Sequence, residues 1–212
     1  MEQPRKPFLS FAGGASVGYI TVHLLPEFQK AQNEFNSVLH IPKRFEEYSL
    51  YLVATVGFLT FYSINYLVKK SSRKNALASP PLFIAHIGVF VLYNSFIGYY
   101  LIKGLKQEPM SLLFFTGVFV LHIMVNDVGL RLDHKRRYDP WGSGVLALSV
   151  FSGWLIGFFT TLPTGVFAIW FGWLAGGILL NTIKEELPKE RKSKLIPFLL
   201  GTIISSTLFF LI

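Results

Sequence analysis

The sequence predicts an all-α fold, a polytopic membrane bundle of seven transmembrane helices in one membrane domain that covers residues 1–212. Three observations predict it. Hydrophobic residues make up 51% of the chain and charged residues only 15%; the mean hydropathy is +0.46; and apolar blocks of about twenty residues alternate with short charged loops. A soluble domain carries about a quarter charged residues, so this composition is typical of a membrane protein.

Seven apolar spans are each bounded by charged residues or proline, at about residues 7–26, 49–68, 82–102, 111–132, 144–162, 165–183 and 195–212. Only residues 161–164 join the fifth span to the sixth, which predicts a tight helical hairpin. The longest loop, residues 27–48, is partly amphipathic, and we expect it to lie at the membrane interface. The basic N-terminus leads into the first span without a small-residue cleavage site, which favours a membrane helix over a signal peptide.

The basic residues of the loops predict the topology. The N-terminus and every second loop after it hold 15 of the 20 Lys and Arg residues, and the other loops hold 5. Positive residues accumulate on the cytoplasmic side, so the N-terminus is predicted to be cytoplasmic. With seven spans the C-terminus is then external.

The formal net charge of +8 does not indicate a nucleic-acid partner, because the basic residues lie in loops where the positive-inside rule accounts for them. The predicted partner is membrane lipid. The chain has no cysteine, which excludes disulfides and thiolate metal sites. It has no GxSxG, HExxH or phosphate-binding glycine loop, so no enzyme is predicted.

The fourth span carries polar residues inside an apolar stretch. His122 and Asn126 are four residues apart and lie on one helix face, with Asp127 one step round. Imidazole, amide and carboxylate groups together can bind a divalent cation, or His122 and Asp127 can relay a proton. In the alternative interpretation, His122 and Asn126 hydrogen-bond neighbouring helices, and Asp127 reaches the cytoplasmic interface near Arg131.

The third span places His86, Tyr93 and Asn94 near one face. Asn94 is a further candidate metal ligand, and His86 and Tyr93 are candidates for a substrate pathway that faces His122. Amide and phenol groups in membrane helices also tie helices together, and that interpretation stays open.

The first span ends in His23 and Glu27, which flank Pro26. These two side chains are candidate metal ligands at the outer mouth. The alternative is a plain helix terminus, at which the proline and the carboxylate mark the passage to the interface.

Several of these segments resemble the ZIP (Zrt/Irt-like) family of metal transporters. Residues 11–27, FAGGASVGYITVHLLPE, resemble the family's second membrane helix, and residues 174–188, LAGGILLNTIKEELP, its seventh. Residues 93–98, YNSFIG, are similar to the His-Asn-x-x-Glu-Gly metal motif of its fourth helix, and His122 to Asn126 stand where its fifth helix has a His-x-x-x-Glu motif. The resemblance covers nearly the whole chain without the family's first helix, and it implies seven spans with the termini as predicted above.

The chain departs from the family at its metal ligands. The resemblance implies a pair of divalent ions held by carboxylates and histidines at the midplane, but Tyr93 replaces the histidine, Ile97 the glutamate, and Asn126 the second glutamate. The fifth span offers Ser149 and Ser152 and no acid. Neutral groups cannot balance two buried divalent charges, so we expect that the binuclear site does not form.

Three hypotheses about function follow. The first is transport of a divalent cation (zinc, iron or manganese), with Zn²⁺ or another divalent ion as cargo, one ion at a time, and with the two-bundle elevator motion that the resemblance implies. The second is a degenerate, non-transporting ZIP-fold protein that acts as scaffold, partner subunit or sensor. The third is transport of another substrate by hydrogen bonds to Tyr93 and Asn94. Homodimerisation and a partner chain that supplies the missing helix both stay open.

Overall fold

The computed structural model describes residues 7–75, 77–103, 109–186 and 194–211 of the chain. Within these ranges the secondary structure is helical, with no strand. The helices are α1 (Pro7–Tyr19), α2 (Leu25–Leu39), α3 (Lys43–Glu46), α4 (Ser49–Asn75), α5 (Pro80–Lys103), α6 (Pro109–His134), α7 (Gly142–Phe159), α8 (Thr164–Asn181) and α9 (Leu195–Phe210). The predicted all-helical fold is confirmed.

Six helical segments are long and apolar enough to cross a membrane: Pro7–Leu39, Ser49–Ser72, Pro80–Lys103, Leu112–Arg137, Gly142–Phe159 and Thr164–Lys184. They indicate an integral, multi-pass membrane protein. The seventh predicted span corresponds to α9, whose 16 residues rise about 24 Å, less than the roughly 30 Å hydrocarbon core. The count of seven spans therefore stays a prediction.

The first helix does not end at Pro26, where the loop of residues 27–48 was expected to begin. A π-helical segment, Ile20–Leu24, connects α1 directly to α2, so the helical path extends to Leu39. Pro26 lies in the first turn of α2, directly after the π-helical segment, and the helix continues through it. The loop prediction was wrong over residues 27–39, which are helical. The expected position of this amphipathic segment at the membrane interface stays a prediction.

Glycines determine which helices pack together. A Cβ atom on Gly153 of α7 would overlap the main-chain oxygen of Ser95 in α5, and one on Gly98 of α5 would overlap that of Val150 in α7. Each glycine thus lets the opposite backbone approach closely. The same reciprocal arrangement recurs at the crossing of α1 with α9 and of α4 with α8, at Gly14, Gly201, Gly57 and Gly176.

The predicted hairpin of the fifth and sixth spans does not form. The connection between α7 and α8 is short, as expected, but α7 packs on α5 and α8 packs on α4. Groups on α5 hold this connection: the Tyr99 hydroxyl accepts a hydrogen bond from the Leu162 amide at 2.8 Å, and Lys103 donates to the Thr161 hydroxyl at 3.0 Å. Close glycine packing on separate partners outweighs the short connection.

The main pairs are nested along the chain: α1 with α9, α4 with α8, and α5 with α7. Helix α6 stands at the centre of this order along the chain, between α5 and α7. It packs less extensively on any one helix than the members of the three main pairs pack on each other. We refer to α1, α2, α4, α8 and α9 as the first helix group and to α5, α6 and α7 as the second. Helix α6 contacts both groups and packs more extensively on α1 than on α5 or α7. Contacts of α6 with α1 and of α4 with α5 join them.

Candidate functional site: a polar seam between the helix groups

Tyr93 and His122 form the buried centre of the bundle. The phenol oxygen of Tyr93 is hydrogen-bonded to Nε2 of His122 across the contact between α5 and α6. Tyr93 is fully buried and its ring packs on Phe61 and Phe90. The structure therefore brings these two predicted residues together. A cation could bind Nε2 of His122 only after the bond to Tyr93 had broken.

Asn94 and Asn126 are buried amides on the same two helices. Their exposed fractions are 0% and 3%. Both side-chain atoms of each amide lack a hydrogen-bond partner among the described protein groups. A buried polar group without a partner lowers the stability of the fold by about 1–3 kcal/mol. Water or another bound polar species that hydrogen-bonds these amides would remove that cost.

A small cavity of about 10 Å³ lies beside Asn126, between α4, α5, α6 and the end of α8. Its volume suits about one water molecule. We call it the polar cavity; it is lined by Asn65, His86, Phe90, Asn126, Gly129, Leu130, Asp133, Asn181 and Lys184. Nε2 of His86 and Nδ2 of Asn181 are also buried without a partner among the described groups. One ordered water could satisfy several of these atoms at once.

His86 and His134 close the far side of this region. Nδ1 of His86 lies 2.8 Å from Nε2 of His134, and both rings are almost fully buried. From His122 to His134 the polar groups follow α6 over about 18 Å of helix rise. We call the series the polar seam: Tyr93, Asn94, His122, His134 and the residues that line the polar cavity. It runs from the middle of α6 to its C-terminal end.

Asp127 belongs to a different network. Its carboxylate accepts hydrogen bonds from the hydroxyls of Tyr138 and Ser143, both at 2.6 Å, and Arg131 lies 3.4 Å away. Arg131 also binds Asp139 at 2.7 Å. The Asp127 side chain is 24% exposed and does not line the polar cavity. Asp127 therefore lies beside Arg131, as the alternative interpretation in the sequence analysis expected; its position at the cytoplasmic interface stays a prediction.

The phenol of Tyr138 acts as a neutral donor in this network. Burial, and then the hydrogen bond to the Asp127 carboxylate, raise the pKa of Tyr138 above its ordinary value. Asp127 thus ties α6 to the connection that leads into α7.

His23 and Glu27 lie at the π-helical segment of the first helix. The His23 ring packs against Phe115 at 4.3 Å and against Phe209 at 5.5 Å, and its Nε2 is buried without a partner among the described groups. Glu27 pairs with Lys30 at 2.5 Å. Among the described residues no group of three or more His, Cys, Asp or Glu side chains is placed to hold a metal ion.

Five polar residues of the seam were missed by the sequence analysis: Asn65, Asp133, His134, Asn181 and Lys184. Asn65 and Asn181 interrupt apolar spans in the same way as Asn94 and Asn126, and that signal was available. Asp133, His134 and Lys184 lie within charged segments of the sequence, where nothing local distinguishes a side chain that turns inward.

Comparison of the chain with protein-family models, with curated proteins and with solved structures finds no match. The ZIP resemblance therefore rests on the sequence motifs alone.

Proposed function

We propose that this chain is a ZIP-like membrane transporter that carries a divalent metal cation, one at a time, along the polar seam. The observation that carries the proposal is the set of buried polar atoms on facing helices that have no partner among the described groups: both amide atoms of Asn94 and Asn126, Nδ2 of Asn181 and Nε2 of His86. Leucine at any of these positions would remove the cost of an unpaired amide or imidazole. Bound water or a polar cargo offsets that cost.

The ligand types support a single weakly held ion. Imidazole nitrogens and amide oxygens are cation ligands, and His122, Asn126 and His86 provide them from two helices. Without carboxylates they cannot balance two divalent charges in a buried site. Asp133 is the acid that lines the polar cavity, at the end of the seam nearest the predicted cytoplasm.

The transport geometry follows from the resemblance and the charge pattern. In this proposal α9 is the seventh span, the N-terminus is cytoplasmic and the C-terminus is external. The helix group α5, α6 and α7 moves against the other group as an elevator, and the seam is the boundary that the motion exposes. His23, half-buried at the π-helical segment, is an outer contact for the ion.

A degenerate, non-transporting protein is the second candidate. The bond between Tyr93 and His122 favours it, because that bond occupies the imidazole that the ZIP resemblance assigns to metal. The pairing of Asp127 with Arg131 favours it as well. In this case the chain acts as a scaffold, a partner subunit or a sensor.

Ion flux into proteoliposomes separates the two candidates. Wild-type protein and the variants His122→Ala, Asn126→Ala and Asn33→Ala would be assayed with zinc, iron, manganese and cadmium. Asn33 is an exposed amide on α2 and provides the matched control for Asn126. We expect flux of at least one ion by wild type and Asn33→Ala, and loss of that flux in the two seam variants.

Folded wild-type protein that carries none of the four ions, and binds none by calorimetry, would overturn the transport proposal and favour the degenerate protein. Equal flux in wild type and both seam variants would also overturn it, since the seam would then not be the pathway.

A further inference from the structure

A basic groove lies next to the polar seam, on the outside of the helix bundle. It has a volume of about 450 Å³ and is partly open to the surroundings. Six side chains line it: Tyr62, Asn65, Tyr66, Lys69, Lys70 and Lys184. We call it the lysine groove. Three of these six side chains end in an ammonium group, and none of the six carries a carboxylate.

The lysines converge from two elements that are far apart in sequence. Lys69 and Lys70 lie near the end of α4, and Lys184 lies in the π-helical segment Thr182–Glu186 that follows α8. The reciprocal glycine packing of α4 on α8 brings the ends of both helices together. Lys69 and Lys70 are exposed neighbours whose like charges repel each other, so an anion bound beside them lowers the electrostatic energy.

The tyrosines give the groove an apolar side and further hydrogen-bond donors. Tyr62 and Tyr66 are both 54% exposed. The Lys70 ammonium lies 5.8 Å from the centroid of the Tyr66 ring, within the range of a cation–π contact. Tyrosine side chains of this kind are enriched where membrane helices meet the headgroup layer.

The position along the helices matches the headgroup layer on the cytoplasmic side. Lys69 and Lys70 follow the apolar part of α4, and the charge distribution predicts that this end of the helix is cytoplasmic. Basic pockets between membrane helices on that side bind the phosphate of anionic lipids. We propose that the lysine groove is a specific binding site for the phosphate headgroup of an anionic phospholipid.

The groove and the polar cavity share Asn65 and Lys184. Asn65 is 5% exposed and donates to the main-chain oxygen of Phe61 at 2.8 Å, so it is a rigid part of the wall between the two spaces. A bound headgroup would place negative charge on one side of this wall. In the proposed transporter that charge would offset the lysines and favour a cation in the cavity. The lipid site itself does not depend on transport.

Native mass spectrometry of the purified protein in detergent tests the site. Phosphatidylglycerol, phosphatidylcholine and inorganic phosphate would each be added to wild type, Lys69→Gln/Lys70→Gln, Lys184→Gln and Lys135→Gln/Arg136→Gln. The last variant removes two exposed basic residues from another segment on the same predicted membrane face, so its change in net charge matches that of the first double variant.

We expect wild type to retain one phosphatidylglycerol in preference to phosphatidylcholine. The Lys69→Gln/Lys70→Gln variant should lose roughly tenfold or more of that preference, since each lysine contributes separately to the attraction for an anionic lipid. Lys184→Gln should lose part of it, and Lys135→Gln/Arg136→Gln should keep it.

Three results would overturn the proposal. Wild type could bind the two lipids equally. The control variant could lose the preference as much as the groove variants, which would show general attraction to a basic surface. Inorganic phosphate could bind in a lysine-dependent way while the lipid does not, which would assign the groove to a soluble anion.

Discussion

The hydroxyl group of Tyr93 is hydrogen-bonded to Nε2 of His122 at the buried contact between α5 and α6. Both residues stand at positions that the ZIP resemblance assigns to metal ligands, and here they bind each other. In terms of that resemblance, the phenol replaces one expected metal ligand, and it occupies Nε2 of the other. The first two predictions follow from this contact and from the unpaired amides around it.

Replacing Tyr93 with phenylalanine is expected to expose the metal affinity of His122. The ring contacts with Phe61 and Phe90 are retained, while Nε2 of His122 loses its partner, at a cost to stability of about 1–3 kcal/mol. Calorimetry should show tighter Zn²⁺ binding by the variant than by wild type, and thermal unfolding in detergent should show the loss of stability. Tyr62→Phe, at an exposed phenol on α4, is the control. Unchanged or weaker Zn²⁺ binding by Tyr93→Phe would contradict a metal role for His122.

Replacing Asn126 with leucine is expected to stabilise the protein and abolish flux. The amide is buried and neither of its atoms has a partner among the described groups, so an apolar side chain of similar size removes a cost of about 1–3 kcal/mol. The thermal midpoint and ion flux would be measured on the same preparation. A less stable variant would show that the Asn126 amide makes a structural hydrogen bond. Asn126 would then hold helices together, which is the alternative interpretation given in the sequence analysis.

Replacing Gly153 with alanine is expected to break the crossing of α5 and α7. The added Cβ would overlap the main-chain oxygen of Ser95, which cannot move aside as a side chain can, so we expect a loss of about 3 kcal/mol. Gly144→Ala, on the same helix, is the control, because nothing lies within 4 Å of its added Cβ. That variant should remain within about 1 kcal/mol of wild type. Similar unfolding curves for the two variants would show that the crossing is looser than described.

Replacing Asp127 with alanine is expected to destabilise the protein without affecting ion selectivity. The hydroxyls of Tyr138 and Ser143 lose their acceptor and Arg131 loses one of two carboxylates, for about 1–3 kcal/mol in all. Flux through the protein that remains folded should show the wild-type order of ion preference. A changed order of ion preference would show that Asp127 contacts the transported ion. Asp139→Ala removes the second, more exposed partner of Arg131 and should have a smaller effect on stability.

The local pattern of the sequence was sufficient for the membrane assignment. Long apolar blocks bounded by charge predict helices wherever the chain is described, and six of the predicted spans correspond to helices long enough to cross a bilayer. These features are local, since each depends on a run of about twenty residues and its flanks. The end of the first helix was misplaced because the π-helical segment at Ile20–Leu24 has no comparable signal in the sequence.

The partners of the helices could not be read in the same way. Lipid tails are as apolar as leucine side chains, so hydrophobicity does not determine which helix packs on which. The glycines were visible in the sequence, but that Gly98 meets α7 and Gly57 meets α8 depends on the three-dimensional arrangement. For the same reason α7 and α8 were wrongly expected to form a hairpin.

The same distinction between local pattern and helix packing applies to the candidate site. The sequence by itself determined that polar groups such as His122 and Asn126 interrupt apolar spans and that the family's carboxylates are missing. Only the tertiary structure decided that His122 binds Tyr93, that Asp127 is tied to Arg131 and Tyr138, and that Asn65, Asp133 and Lys184 join the polar cavity. The partner of His122 is supplied by a neighbouring helix, and helix packing, which is not encoded in any single span, determines that neighbour.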